Sequence, residues 1–98
     1  TDFLVVHAGI RPGIPLDQQS PKDLVSLRTL FSDGDPWYES YTGPKLIIHG
    51  HWAAQGLVVR EHVIGLDSGC VYGKMLSAVI LPERRIVSVP ARCVYLPI

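Results

Sequence analysis

The sequence is short of charge. Only 18% of its 98 residues are Asp, Glu, Lys or Arg, and nine acidic residues balance nine basic ones. No field of one sign is available to draw in nucleic acid or an anionic membrane. An anionic ligand therefore has to be gripped locally, by a metal or a few arginines. Cysteine is equally scarce. Cys70 and Cys93 are the only two, too few for a disulfide scaffold and not spaced as a CxxC pair. Both are expected to be reduced and mostly buried. No apolar run approaches the ~18–20 residues needed to cross a bilayer, and no signal peptide is evident. The expectation is a cytoplasmic protein without a membrane span. Repeats, low-complexity tracts and linkers are absent as well. An initiator Met is missing: the chain opens on Thr1-Asp2 and enters an apolar run at Phe3, which suggests a piece of a longer chain.

What the sequence does have is apolar residues, 47% of the total, enough for one small domain with a well-buried core. FLVV (3–6) reads as a strand buried on both faces, closed by His7 and the Gly- and Pro-rich AGIRPGIPL. SPKDLVSLRTLF (20–31) predicts the one clear helix. Ser20 stands as N-cap, Pro21 as first helical residue and Asp23 at the positive end, while Leu24, Leu27, Leu30 and Phe31 form one stripe with Arg28 at its edge. KLIIHG is a second buried strand. Residues 57–59 and 62–66 read as short strands joined at Arg60-Glu61. Residues 75–81 and 85–90 read as a hairpin, and 93–96 as an edge strand. One helix with six or seven strands, crowded towards the C-terminal two thirds, is an α+β or mixed α/β pattern.

The chemistry sits with histidine. His7 and His51 each follow a short apolar strand with glycine close by. If those strands run parallel, both imidazoles emerge at one sheet edge, where ligands gather in open sheets. One metal could then hold both. His49, two residues before His51 in IIHGHWAAQG, would point the same way in a continuous strand, but Gly50 can break that geometry. His49 is thus a candidate for orienting a ligand or moving a proton, or a packed residue. His62 lacks such a setting and is assigned to the surface or a strand face. A hydrolytic metal site also wants carboxylates at strand ends. None of the nine here, Asp2, Asp17, Asp23, Asp33, Asp35, Glu39, Glu61, Asp67 and Glu83, sits in a DxH or GD-type strand end.

Three segments in this order, VHAGIRPGIPL, IIHGHWAAQGL and GLDSGCVYGKMLSAVILPE, resemble the C-terminal half of a calcineurin-like metallophosphoesterase. The similarity covers nearly all of residues 1–98, as a partial domain. The branch most similar contains Ser/Thr phosphoprotein phosphatases and diadenosine tetraphosphatases, and VPAR (89–92) resembles its fungal-type members. The resemblance implies a β-sandwich with flanking helices and two divalent metal ions, Mn, Zn or Fe. The substrate it implies is phosphorylated: a phosphoprotein, a dinucleoside polyphosphate or polyphosphate. Matched to the family motifs, His7 and His51 become ligands of one metal. The catalytic acid and the remaining ligands would lie upstream of this chain. Ala53 stands where wider relatives carry another ligand. Arg28, Arg11 and Tyr72 become candidate substrate contacts, and Asp67, like His49, a group that orients a ligand. Trp37 and Trp52 are expected to pack, with Trp52 able to wall the site. The reading is a metallophosphatase, a phosphoester or phosphoanhydride hydrolase, as a full-length parent. The chain alone is expected to be inactive and marginally stable. The alternative is a non-catalytic fragment that binds metal weakly or pairs with a partner.

Overall fold

The computed structural model describes residues 2–32 and 34–97; Asp33 lies outside them. Among these residues, six strands and one α-helix form a mixed α/β structure. The strands are β1 (Phe3–Val5), β2 (Leu46–His49), β3 (Val58–Val59), β4 (Val63–Gly65), β5 (Met75–Ile80) and β6 (Arg85–Pro90), and the helix is α1 (Pro21–Ser26). The first four strands make one sheet in the order β1-β2-β4-β3, and β5-β6 is a separate antiparallel hairpin.

β2 is the spine. It pairs in parallel with β1 (Val5 opposite Ile48) and with β4 (His49 opposite Gly65), and all four of its residues are buried. Strand alternation divides its side chains between two faces. Ile47 joins Val63, Ile10, Leu27, Trp37 and Tyr38 in one core cluster. Leu46 and Ile48 join Ile64 on the other face, covered by Val79, Leu81 and Ile86 of the hairpin region. The sheet is therefore a middle layer, with the helix and the aromatic loop on one side and the hairpin on the other. Each fully buried Ile, such as Ile47 at 0% exposure, contributes about 1.5–3 kcal/mol relative to leaving it in water.

Five expectations need correction. The helix ends at Ser26, not Phe31: Leu27 turns extended at ψ 132°, and Arg28 O instead accepts the Trp37 N–H at 2.9 Å, beside a Thr29–Pro36 bridge. Pairing with the aromatic loop outweighs the propensity of residues 27–31, and Phe31 is left 75% exposed. Ser20 occupies the N-cap position, but its side chain makes no capping bond. β1 is buried on one face only. Leu4 and Val6 pack inward, while Phe3 and Val5 are 46% and 66% exposed on the edge strand of the sheet. Residues 93–96 form no strand. Tyr95 and Leu96 each donate a backbone N–H to Val71 O, and this close hold leaves Cys93 exposed and Cys70 half-buried rather than both interior.

Gly9 tests the packing. A Cβ there would sit 2.4 Å from Nε1 of Trp37, whose ring is fully buried and cannot swing away. Gly9→Ala is expected to destabilise the chain by about 1–3 kcal/mol, seen as a lower urea midpoint. An unchanged midpoint would show that the Gly9–Trp37 approach is not tight.

Candidate active site

The parallel pairing of β1 and β2 sends both strands out of the sheet at the same edge. Val6 N–H continues the ladder to Ile48 O at 2.9 Å, and Gly50 N–H then donates to His7 O at 2.9 Å. The chain turns away after each histidine, and the rings of His7 and His51 come to rest with centroids 5.0 Å apart, tilted by 56°. The two histidines that sequence placed on separate strand ends thus face each other.

β4 runs parallel to β2 and delivers Asp67 to the same edge. Asp67 lines a groove with His7, His49, Gly50 and His51. Its Oδ1 accepts the Gly69 N–H at 3.2 Å, so it also holds its own turn. His51 opens in addition onto a neighbouring cavity of about 440 Å³, lined by Arg28, Trp52, Ala53, Ala54, Tyr72 and Lys74. Arg28 reaches this cavity because the helix stops early and the chain around it is extended. Among the described residues neither Arg28 nor Lys74 has a carboxylate partner. Lys74 was missed by sequence reasoning. No local pattern marks it, and only the LDSGCVYG turn carries it towards His51.

Arg11 is placed elsewhere. Its Nε meets Asp23 Oδ2 at 2.7 Å and a second nitrogen meets Oδ1 at 3.4 Å. It lines a separate cavity with Lys45 and Tyr41, so the structure does not bring it to the histidines. His62 is distant as well, edge-on to Tyr41. Trp37 packs in the core, and Trp52 walls the cavity.

His49 faces inward, 6% exposed. Its ring lies edge-on to Trp37 and stacked on Tyr38, against Gly65, where a Cβ would meet Nε2 at 2.9 Å. Gly65 is therefore part of the site's framework. Burial pushes the His49 pKa down, the bond to Gly50 O opposes that, and the charge of His51 adds to the lowering. His51 is also lowered, first by burial, then by Arg28 and His7, against the pull of Asp67. Neutral imidazoles are the form that ligates metals.

The His7–His51 pair fits a shared cation as part of its ligand set. Two imidazoles on one tetrahedral Zn²⁺ have ring centroids roughly 5 Å apart, given Zn–N distances of about 2.1 Å. The observed 5.0 Å agrees. Among the described residues, however, no group of three or more His, Cys, Asp or Glu is arranged to hold a metal. A cation held there would need further ligands from outside this set. No helix among the described residues is long and apolar enough to cross a membrane.

The lowered His49 pKa has a consequence for the metal-free chain. The unfolded chain binds a proton near pH 6.5, whereas the folded chain resists it until lower pH. Stability is therefore complete above about pH 6.5 and falls as pH drops towards the folded-state pKa. Urea midpoints at pH 7.5 and 5.5 are expected to differ in that sense, and His49→Leu should flatten the difference. An equal slope in both proteins would contradict it.

No family model matches the chain. Over 51 residues, 49% of its length, it is 49% identical to a symmetrical bis(5'-nucleosyl)-tetraphosphatase from Paraburkholderia phymatum. Over 59 residues, 54% of its length, it is 46% identical to the protein of the same name from Burkholderia mallei. It spans 18% and 21% of those two relatives. A solved structure of a protein to which diadenosine tetraphosphatase activity has been ascribed matches 87% of this chain, at a TM-score of 0.84 and 36% identity, and the match covers 45% of that protein. The chain thus shares sequence with part of those two relatives, and both sequence and fold with part of that solved protein.

Proposed function

We propose that this chain forms part of a calcineurin-like metallophosphoesterase that hydrolyses a phosphoanhydride in a dinucleoside polyphosphate. The observation that carries this reading is the His7–His51 pair, 5.0 Å between ring centroids, with His51 opening onto a cavity that has two cationic side chains and a Trp wall. The names and fold of the similar proteins support it. His7 and His51 would hold one of two divalent cations, Mn, Zn or Fe, as neutral imidazoles. When bound, such cations supply Lewis acidity towards phosphoryl oxygens and a nucleophile at neutral pH.

The remaining residues bind and orient. Arg28 and Lys74 would pair with phosphate oxygens, Arg28 in a two-pronged manner. Trp52 offers an aromatic face to a nucleobase, worth about 1–3 kcal/mol per stacked base in comparable sites. That face favours a dinucleoside polyphosphate over a phosphoprotein or inorganic polyphosphate, neither of which requires a base platform. Tyr72 closes the cavity. Asp67 shares a groove with His51 and opposes the lowering of its pKa, and would orient that ring towards a cation. Arg11 is assigned to the Asp23 ion pair instead of to substrate. The fungal-type affinity rests on residues 89–92, which lie at the end of β6 and beyond it, where Ala91 N–H donates to Lys74 O. A cytoplasmic setting is part of the proposal, since both cysteines are free.

The non-catalytic alternative, weak cation binding without turnover by the chain alone, draws on the lack of a third ligand among the described residues. Both readings predict that the 98-residue chain binds Mn²⁺ or Zn²⁺ at one site by calorimetry. His7→Ala and His51→Ala are each expected to weaken that binding on the order of tenfold or more, and His62→Ala to leave it unchanged. The polypeptide expressed from the natural gene decides between them. Cleavage of diadenosine tetraphosphate with added Mn²⁺, lost in the His51→Ala form, is the expected result. Intact substrate would overturn the enzymatic reading, and preference for a phosphopeptide would overturn the substrate class.

A further inference from the structure

His51 has an uncommon backbone. Its φ is +72°, in the left-handed region that side-chain-bearing residues avoid. Trp52 N–H donates back to Gly50 O at 2.9 Å, closing a three-residue turn with His51 at its centre. A γ-turn with positive central φ is rare and strained, and strain of this kind persists only where surrounding contacts over-determine it.

The surrounding contacts converge on the Gly50 peptide. Its N–H binds His7 O, and its carbonyl accepts Trp52 N–H and lies 3.1 Å from Nδ1 of His49. A carbonyl can only accept, so this contact is a hydrogen bond when Nδ1 carries the proton. Nε2 is then the bare nitrogen, and it is the atom left buried without a partner. The ring has no freedom to seek one. Trp37 and Tyr38 wedge it, and the missing side chain of Gly65 gives it room. The arrangement sacrifices one nitrogen of a buried imidazole and spends the other on a single carbonyl in the strained turn.

We propose that His49 is a positioning residue: its Nδ1–H braces the Gly50 carbonyl and so locks the γ-turn that presents the His51 ring to His7 and to a cation held between them. The inference rests on the functional reading above for the cation, but its structural part stands on this chain's own hydrogen bonds. Adjacent residues in HGH thus divide the work. His51 faces outward as ligand, and His49 faces inward as brace.

The test uses the full chain, Zn²⁺ as probe, and two variants. His49→Phe keeps a flat ring in the slot and removes the donor. His49→Asn removes the ring but keeps an N–H near the place of Nδ1. Groups that orient a metal ligand typically control affinity by 10–100-fold. His49→Phe is therefore expected to weaken Zn²⁺ binding by roughly tenfold or more and to speed hydrogen exchange at the Trp52 amide. His49→Asn should recover most of the affinity despite a greater loss of packing, a pattern that a purely structural role would reverse. In the unsubstituted, metal-free chain, nitrogen NMR should show His49 protonated at Nδ1. A proton at Nε2, or Zn²⁺ affinity unaffected by His49→Phe, overturns the proposal even if a variant folds poorly. No Zn²⁺ binding by the unsubstituted chain overturns the functional reading instead.

Discussion

The Gly50 peptide is the point on which the site depends. Its N–H reaches the carbonyl of His7, and its carbonyl receives the amide of Trp52 and lies beside the ring of His49. The backbone of one residue, through its N–H and its C=O, therefore ties the end of β1 to the end of β2 and sets the turn between two histidines. The sheet makes this possible. Parallel pairing with β1 and β4 fixes β2 on both sides, so the loop leaves the sheet from a rigid base. A parallel spine buried on both faces is also what the apolar run KLII provides.

Charge is distributed to match. At the end of β2 the pKa of His51 is lowered, first by burial and then by Arg28 and His7, against the pull of Asp67. Arg28 and Lys74 border the adjoining cavity, and Asp67 faces the groove. A chain with no net charge can still hold an anion this way, because the field is local and partly shielded from solvent. Arg11 shows the contrast. It follows His7 closely in sequence, yet Asp23 takes up its guanidinium, and that ion pair ties the Gly-Pro loop to α1.

The parts of the site that follow from strand periodicity were legible in the sequence. Short apolar runs ending in His would bring His7 and His51 to one edge if the strands ran parallel; β1 and β2 do pair in parallel, and the two rings lie 5.0 Å apart. The inward face of His49 was not legible, because it depends on a strand-to-strand register that places Gly65 opposite it. Lys74 was hidden for a similar reason, since a loop rather than an element positions it. The helix misread at residues 27–31 has a different origin. Leu27 and Leu30 have helical spacing and do reach the core, but they reach it from an extended segment paired with the aromatic loop. Apolar spacing reports which side chains are buried more faithfully than it reports the backbone that buries them.

Two adjacent departures from ordinary packing remain to be weighed. A left-handed His costs on the order of 1–3 kcal/mol, and a buried nitrogen without a partner costs about as much. Small domains have only about 5–15 kcal/mol of net stability in total. Both costs fall within three residues, 49 to 51, while the rest of β2 follows simple apolar alternation. If packing alone governed this strand, a Leu at position 49 and a Gly at position 51 would relieve both. Instead the strain lies where two imidazoles have to share one point in space. The HGH sequence is therefore best understood as stability given up at the end of the best-packed strand, where the neighbouring layers are firm enough to sustain it.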